Sequence, residues 1–143
     1  PKGNWLATAS KDHTVRLWNT KGTLRTTLKA HTRSITAVAI SPKGNWLATA
    51  SKDHTVRLWN TKGTLRTTLK AHTGTVTAVA ISPDGNWLAT AGKDGWLRLW
   101  NSQQSKDVTA VRTEIGGPVA WFPDSSKLAV CGSRRPFGLR LVR

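Results

Sequence analysis

The chain is 143 residues long, the size of one ordinary domain, and its 12 glycines and 6 prolines are too few for a low-complexity or collagen-like tract. Its extreme is charge: 22 Lys and Arg against 7 Asp and Glu give +15, which favours an anionic partner without choosing between nucleic acid, an anionic membrane and an acidic protein. One cysteine, Cys131, excludes an internal disulfide framework, and its place in the apolar run 128–131 predicts a buried structural thiol. No run approaches the roughly 18 apolar residues of a membrane helix, and no basic segment leads into an apolar signal core. A soluble, cytoplasmic chain without a membrane partner is the expectation.

Residues 1–41 and 42–82 are the same sequence written twice, differing only at Arg33/Gly74, Ser34/Thr75 and Ile35/Val76. A third copy opens at Pro83 and drifts after Asn101. A period of 41 lies outside the roughly 33–34 residues of common helical repeats and inside the roughly 40–45 of four-stranded propeller blades. Six of the eight tryptophans recur at two repeat positions (Trp5, Trp46, Trp87 and Trp18, Trp59, Trp100), so they belong to architecture before chemistry. The organisation is read as one segment, 1–143, of repeats 1–41, 42–82 and 83–122 and a partial, degenerate closing repeat 123–143.

Within a copy the segments read as strands in chain order. Residues 46–51 are apolar and bounded by the turn-like clusters 43–45 and 52–54. Residues 55–59 alternate, with Val56 and Leu58 on one face and Thr55, Arg57 and Trp59 on the other. After the turn 60–63 comes a third strand, 64–69, and after 71–74 a fourth, 75–81. Ser82-Pro-Asp-Gly85 then turns the chain. Four short strands joined by tight turns make an antiparallel blade. Further on, 105–112 reads as an outer strand, the pattern restarts at Ile115 and runs through Trp121-Phe-Pro-Asp124, and 125–131 is the strand after it. The fold class is therefore all-β.

The spaced pattern His72…Val76…Val79…Ser82-Pro-Asp-Gly85…Leu88-Ala-Thr-Ala-Gly-Lys-Asp94…Leu97-Arg-Leu-Trp-Asn101 resembles the WD40 repeat. The likeness covers nearly the whole chain, strongly through Asn101 and weakly after it. The Trp-Asp signature stands as Trp-Asn at 18–19, 59–60 and 100–101, and Gly-His as Ala-His at 30–31 and 71–72. The resemblance implies β-propeller blades stapled by tetrads of His, Thr, Asp and Trp: His31, Thr49, Asp53 and Trp59, then His72, Thr90, Asp94 and Trp100. The first blade offers Thr8, Asp12 and Trp18 without a histidine, and Val142 stands where Trp100 stood. The final segment also looks like the closing blade of WD40 regions at the C-terminus of STAND-type ATPases. In phase, Pro1 falls between the first and second strands of a blade and Arg143 near a third, which gives about fourteen strands, or three and a half blades. Closed propellers use about four to eight. A partial propeller, either cut from a longer ring or self-associating, follows.

Three functions compete. A non-catalytic scaffold or sensor would hold protein partners on blade loops, where binding residues concentrate. Its contact set is Lys11, His13, Arg33, Lys52, His54 and Lys93 on the rim that carries the Ala-His turns, and neutral drift is an equal account of the 33–35 differences. The alternative is a basic nucleic-acid or polyanion surface, with Lys2, Lys21, Arg25 and Lys29 recurring as Lys43, Lys62, Arg66 and Lys70. Tiled lysines are more often a solvated face, and Trp18, Trp59 and Trp100 are committed to staples rather than to base stacking. An enzyme is the poorest reading. No glycine-rich phosphate loop or metal-ligand spacing is present, so no cofactor or metal is expected, and the His–Asp–Thr sets recur in tandem as an active site does not.

Overall fold

A computed structural model describes residues 4–29, 31–70, 72–104, 106–113, 116–131 and 137–140. Among these, the chain is strand and turn throughout, folded as four antiparallel meanders. The first holds β1 (Trp5–Ala9), β2 (Thr14–Asn19) and β3 (Leu24–Lys29). The second holds β4 (Ile35–Ile40), β5 (Trp46–Ser51), β6 (Val56–Asn60) and β7 (Leu65–Leu69). The third holds β8 (Val76–Ile81), β9 (Trp87–Gly92), β10 (Trp96–Asn101) and β11 (Lys106–Arg112). The fourth holds β12 (Val119–Trp121), β13 (Lys127–Val130) and β14 (Phe137–Arg140). The all-β blade architecture of a partial propeller is thus what these residues form. Sheets and sequence copies are out of phase, because each full sheet takes its first strand from the end of the preceding copy.

Strand boundaries follow local chemistry. Residues 55, 64 and 75, expected to open strands, each precede one. Thr55 is held in the turn by its amide and hydroxyl, both donating to Asp53 Oδ1 (3.0 and 2.6 Å). Likewise the Thr64 amide donates to Asn60 Oδ1 (2.9 Å). The expected strand 125–131 shortens to Lys127–Val130, since Ser125 takes φ 59° and Asp124 Oδ1 accepts the Ser126 amide. The expected strand start at Ser105, the restart at Ile115 and the Val142 position lie outside the described residues.

Each interior sheet has two apolar faces, and each face meets a different neighbour. Leu47 and Trp59 of the second sheet join Val15, Leu17 and Leu28 of the first. Trp46, Ala48, Val56 and Leu58, on the other face, join Val76, Val79, Leu88 and Trp100 of the third. The third sheet's remaining face, with Leu97 and Leu99, packs on Leu128 and Val130. Hence β5 is buried at every residue, although β6 alternates in sequence. The inner strands β4 and β8 also bond across sheets. Thr36 Oγ1 donates to the Val76 carbonyl (2.5 Å), and 41 residues later Thr77 Oγ1 donates to the Gly116 carbonyl (2.7 Å). At Gly116 a Cβ would lie 2.3 Å from the Gly92 oxygen, so glycine alone permits that approach.

Cys131 is exposed, not buried. Leu128 and Val130 take the core side of β13 at 0 and 1 % exposure. The cysteine is one residue past the strand end, and alternation turns it away from the core.

The same leucine in the same local sequence tests this packing. Leu47 is fully buried, while Leu6, in an identical segment on β1, is 56 % exposed. Leu47→Ala is expected to lower unfolding free energy by about 2–5 kcal/mol, and Leu6→Ala by no more than about 0.5 kcal/mol. Denaturant titrations of both variants check the difference. Equal losses would contradict the face-to-face packing.

Candidate functional site

The antiparallel meander puts alternate turns at opposite ends of the sheets. One end carries the β1–β2, β5–β6 and β9–β10 turns and the connections into β4 and β8, and the expected staples and the expected rim both lie there.

In the second sheet, register sets Thr49 beside Arg57 and Leu47 beside Trp59, so the indole reaches the threonine on the adjacent strand. Trp59 Nε1 donates to Thr49 Oγ1 (2.9 Å). His31 Nε2 lies 2.7 Å from the same hydroxyl, and His31 Nδ1 lies 2.9 Å from Asp53 Oδ2. With the ring neutral the donors run one way: indole to hydroxyl, hydroxyl to Nε2, and Nδ1–H to carboxylate, a tautomer assigned from this network. In the third sheet Trp100 Nε1 donates to Thr90 Oγ1 (3.1 Å). His72 Nε2 is 3.0 Å from that hydroxyl, and Nδ1 spans both Asp94 oxygens (2.9 and 3.0 Å). The first sheet has Trp18 Nε1 on Thr8 Oγ1 (2.9 Å), but there Asp12 pairs with Arg16 (2.9 Å).

Sequence reasoning missed two members of these sets. Thr55 grips Asp53, and the Thr32 amide donates to Asp53 Oδ2 (3.0 Å). The Asp-x-Thr spacing, which recurs at 12–14, was the available signal, since an Asp side chain caps the backbone two residues on. Trp96 replaces that threonine in the third sheet, so residue 96 gives Asp94 Oδ1 its backbone amide (3.2 Å) but no hydroxyl.

Electrostatics favour a closed, neutral-imidazole arrangement. Burial pushes the His31 pKa below its ordinary 6.5 and outweighs the hydrogen bond that the ring donates to Asp53. Burial pushes Asp53 up, but hydrogen bonds from Thr55, His31 and two backbone amides hold it down to about 2. Thr49 and Thr90 are fully buried, so neither hydroxyl can meet a substrate. Among the described residues no three His, Cys, Asp or Glu side chains gather as a metal site would require.

Around these sets lies the rim. Lys11, His13, Arg33, Lys52 and Lys93 are exposed, and His54 is half-buried. Ser34 ties two turns together: its hydroxyl donates to the Lys11 carbonyl (3.3 Å) and its carbonyl accepts the Lys52 amide (2.9 Å). One sheet further, the Lys93 amide donates to the Thr75 carbonyl (2.8 Å). His13 and His54 hold left-handed backbone (φ 70° and 72°), where Gly95 (φ 77°) stands in the third sheet.

The sequence profile described as WD domain, G-beta repeat matches residues 1–19, 22–60 and 63–101. The chain belongs to the WD40-repeat family. No curated protein matches it. WD40 repeats as a class mediate protein–protein interaction and are typically non-catalytic.

Two outcomes test the hydrogen-bonded sets. Thr49→Val leaves the Trp59 N–H without its acceptor in the core and is expected to cost about 1–3 kcal/mol, whereas Thr8→Val, at an exposed copy of the site, should stay within about 0.5 kcal/mol. The second is pH dependence. His31 binds its proton more readily unfolded than folded, so stability is full above pH 6.5 and declines as pH falls below it. Asp53 adds stability above pH 3.8 that is lost as pH falls toward about 2. Urea unfolding as a function of pH should show both declines, and His31→Gln should remove the upper one.

Proposed function

We propose that this WD40 chain is a non-catalytic interaction module that holds a protein partner on the histidine end of its sheets, with Lys11, His13, Arg33, Lys52, His54 and Lys93 as the contact set. The carrying observation is the backbone at His13 and His54. Left-handed geometry suits glycine and costs other residues free energy, and the third sheet has glycine there. Keeping an imidazole at a glycine position fits a contact role better than a turn role. Charge supports the reading as well. The carboxylates of Asp12, Asp53 and Asp94 accept hydrogen bonds within their own turns, and the rim lysines have no carboxylate within ion-pair distance among the described residues. A partner with an acidic face complements such a rim.

Polyanion binding is the second reading, favoured by the same unneutralised lysines. The two differ in salt response: a phosphate backbone gives weak, sequence-independent affinity that falls steeply with salt.

Charge reversal decides. The triple variant Lys11→Glu, Lys52→Glu, Lys93→Glu should lose partner capture from lysate while its thermal midpoint stays within a few degrees. Retention of every partner would remove the rim assignment. Loss of nucleic acid alone, from a complex that dissolves at moderate salt, would favour the polyanion reading.

A further inference from the structure

At the opposite end, between the second and third sheets, lies a cleft of about 190 Å³. It falls where the repeat breaks. In the second sheet the β6–β7 turn lays Gly63 against Leu28 and Thr26 of the first sheet, close enough that a Cβ would stand 3.2 Å from them. In the third sheet the corresponding turn is Ser102-Gln103-Gln104, tied inward by Ser102 Oγ on the Gly85 carbonyl (2.7 Å) and by the Ser102 amide on the Asn86 carbonyl (3.0 Å). Position 84 differs too, with Asp84 where the preceding copy has Lys43.

The polar groups in its wall suit one kind of ligand. Arg66 reaches the cleft because it is the bulge residue of β7: Leu65 pairs with Trp59 and Thr67 with Leu58, leaving Arg66 without an opposite partner. Lys43 stands across from it in the β4–β5 turn, and both are exposed. Neither Lys43 nor Arg66 has a carboxylate of the described residues within ion-pair distance. Asn45 Oδ1 accepts from Ser41 Oγ (3.0 Å), which leaves its amide nitrogen as a donor, and Gln103 adds another side-chain amide. Asp84 is already engaged, accepting from Ser82 Oγ (2.5 Å) and from the backbone and side-chain nitrogens of Asn86 (3.0 and 3.1 Å). Trp46, 7 % exposed, lines the cleft beside them.

We infer that this cleft binds a single carboxylate from a peptide, an Asp or Glu side chain or a C-terminus, between Arg66 and Lys43. Three quantities favour that ligand. The volume falls below the roughly 300–1,000 Å³ of drug-sized pockets and suits one side chain. Lys43, Arg66 and Asp84 sum to one net positive charge, which a monoanion neutralises, while the Asp84 carboxylate opposes a doubly charged phosphate. Arg66 brings a planar fork that meets a carboxylate in two parallel bonds. This site is at the far end from the histidine rim, so its fate is separate from that of the rim.

The test is an NMR titration of the full chain with acetylated, amidated Gly-Gly-Glu-Gly-Gly and its Gln counterpart at low salt. Saturable shifts at the Trp46 indole and the Asn45 and Gln103 amides are expected for the Glu peptide, with at least tenfold weaker binding for Gln. Lys43→Ala with Arg66→Ala should weaken the Glu peptide at least tenfold. Lys29→Ala with Lys70→Ala removes two exposed cations elsewhere and should change it less than twofold. Arg66→Gln, which keeps length, guards against a packing effect and should weaken binding alone. Equal losses in the two double variants, or no saturable shifts, would overturn the inference. So would a single-stranded oligonucleotide that perturbs the same amides more strongly than the peptide and loses that effect in Lys43→Ala with Arg66→Ala.

Discussion

The stacking of sheets face against face is the constraint on which the rest depends. A strand such as β5, buried at all six residues, must bond to neighbours on both edges and pack on both faces, because a buried backbone amide without a partner is costly. Its edges are met by β4 and β6, and its faces by the first and third sheets. No sheet could hold this sequence alone: Leu58 without the third sheet, or Trp59 without the first, would face water. Repetition at 41 residues is thus a packing requirement, each copy supplying the surface that its neighbours cover.

The same stacking dictates where hydrogen bonds must be built. Thr49, Thr90, His31 and His72 sit at or near full burial, so their polar atoms need partners inside the protein. The His–Asp–Thr–Trp sets supply those partners and close the sheet end. They also engage acidic residues. Asp12, Asp53, Asp84, Asp94 and Asp124 all accept hydrogen bonds from their own turns. Carboxylates fixed in turns form few ion pairs with lysines on the outer strands, and with 22 cations against 7 acids most of the described lysines stay unpaired.

Much of this was legible because period and alternation are local properties. The turns at 52–54 and 82–85 could be placed from Asp, Pro and Gly, and the tetrad members followed from the likeness to the WD40 repeat. What stayed hidden depends on neighbours in space. Val56 and Leu58 alternate with Arg57 and Trp59, the pattern of a half-solvated strand, yet Trp59 is buried because the first sheet covers it. Cys131 reads as core from its apolar run and falls one residue beyond the strand that would bury it. Arg66 looks like any tiled cation until the register skips it. The cleft beside it arises from side-chain size at 63 against 104 and charge at 43 against 84, neither of which carries a local signal.

Differences between the copies fall where a loop borders a staple. In the second sheet Ser51 Oγ donates to the carbonyls of Arg33 and Ser34 (both 3.0 Å) and so fixes the loop that presents Arg33. The third sheet has Gly92 at that position, where a Cβ would lie 2.5 Å from His72 Nδ1 and 2.8 Å from Asp94 Oδ1. Its loop has Gly74 in place of Arg33, where a Cβ would stand 3.1 Å from the Asp94 amide nitrogen. Two glycines therefore accompany a histidine that spans both oxygens of Asp94, while a serine accompanies a loop bound by its hydroxyl. Positions 33 and 51, and 74 and 92, meet where one loop borders one staple. The loop that carries Arg33 is thus tied to β5 through the Ser51 hydroxyl, while in the next sheet Gly74 and Gly92 leave room beside Asp94 and His72.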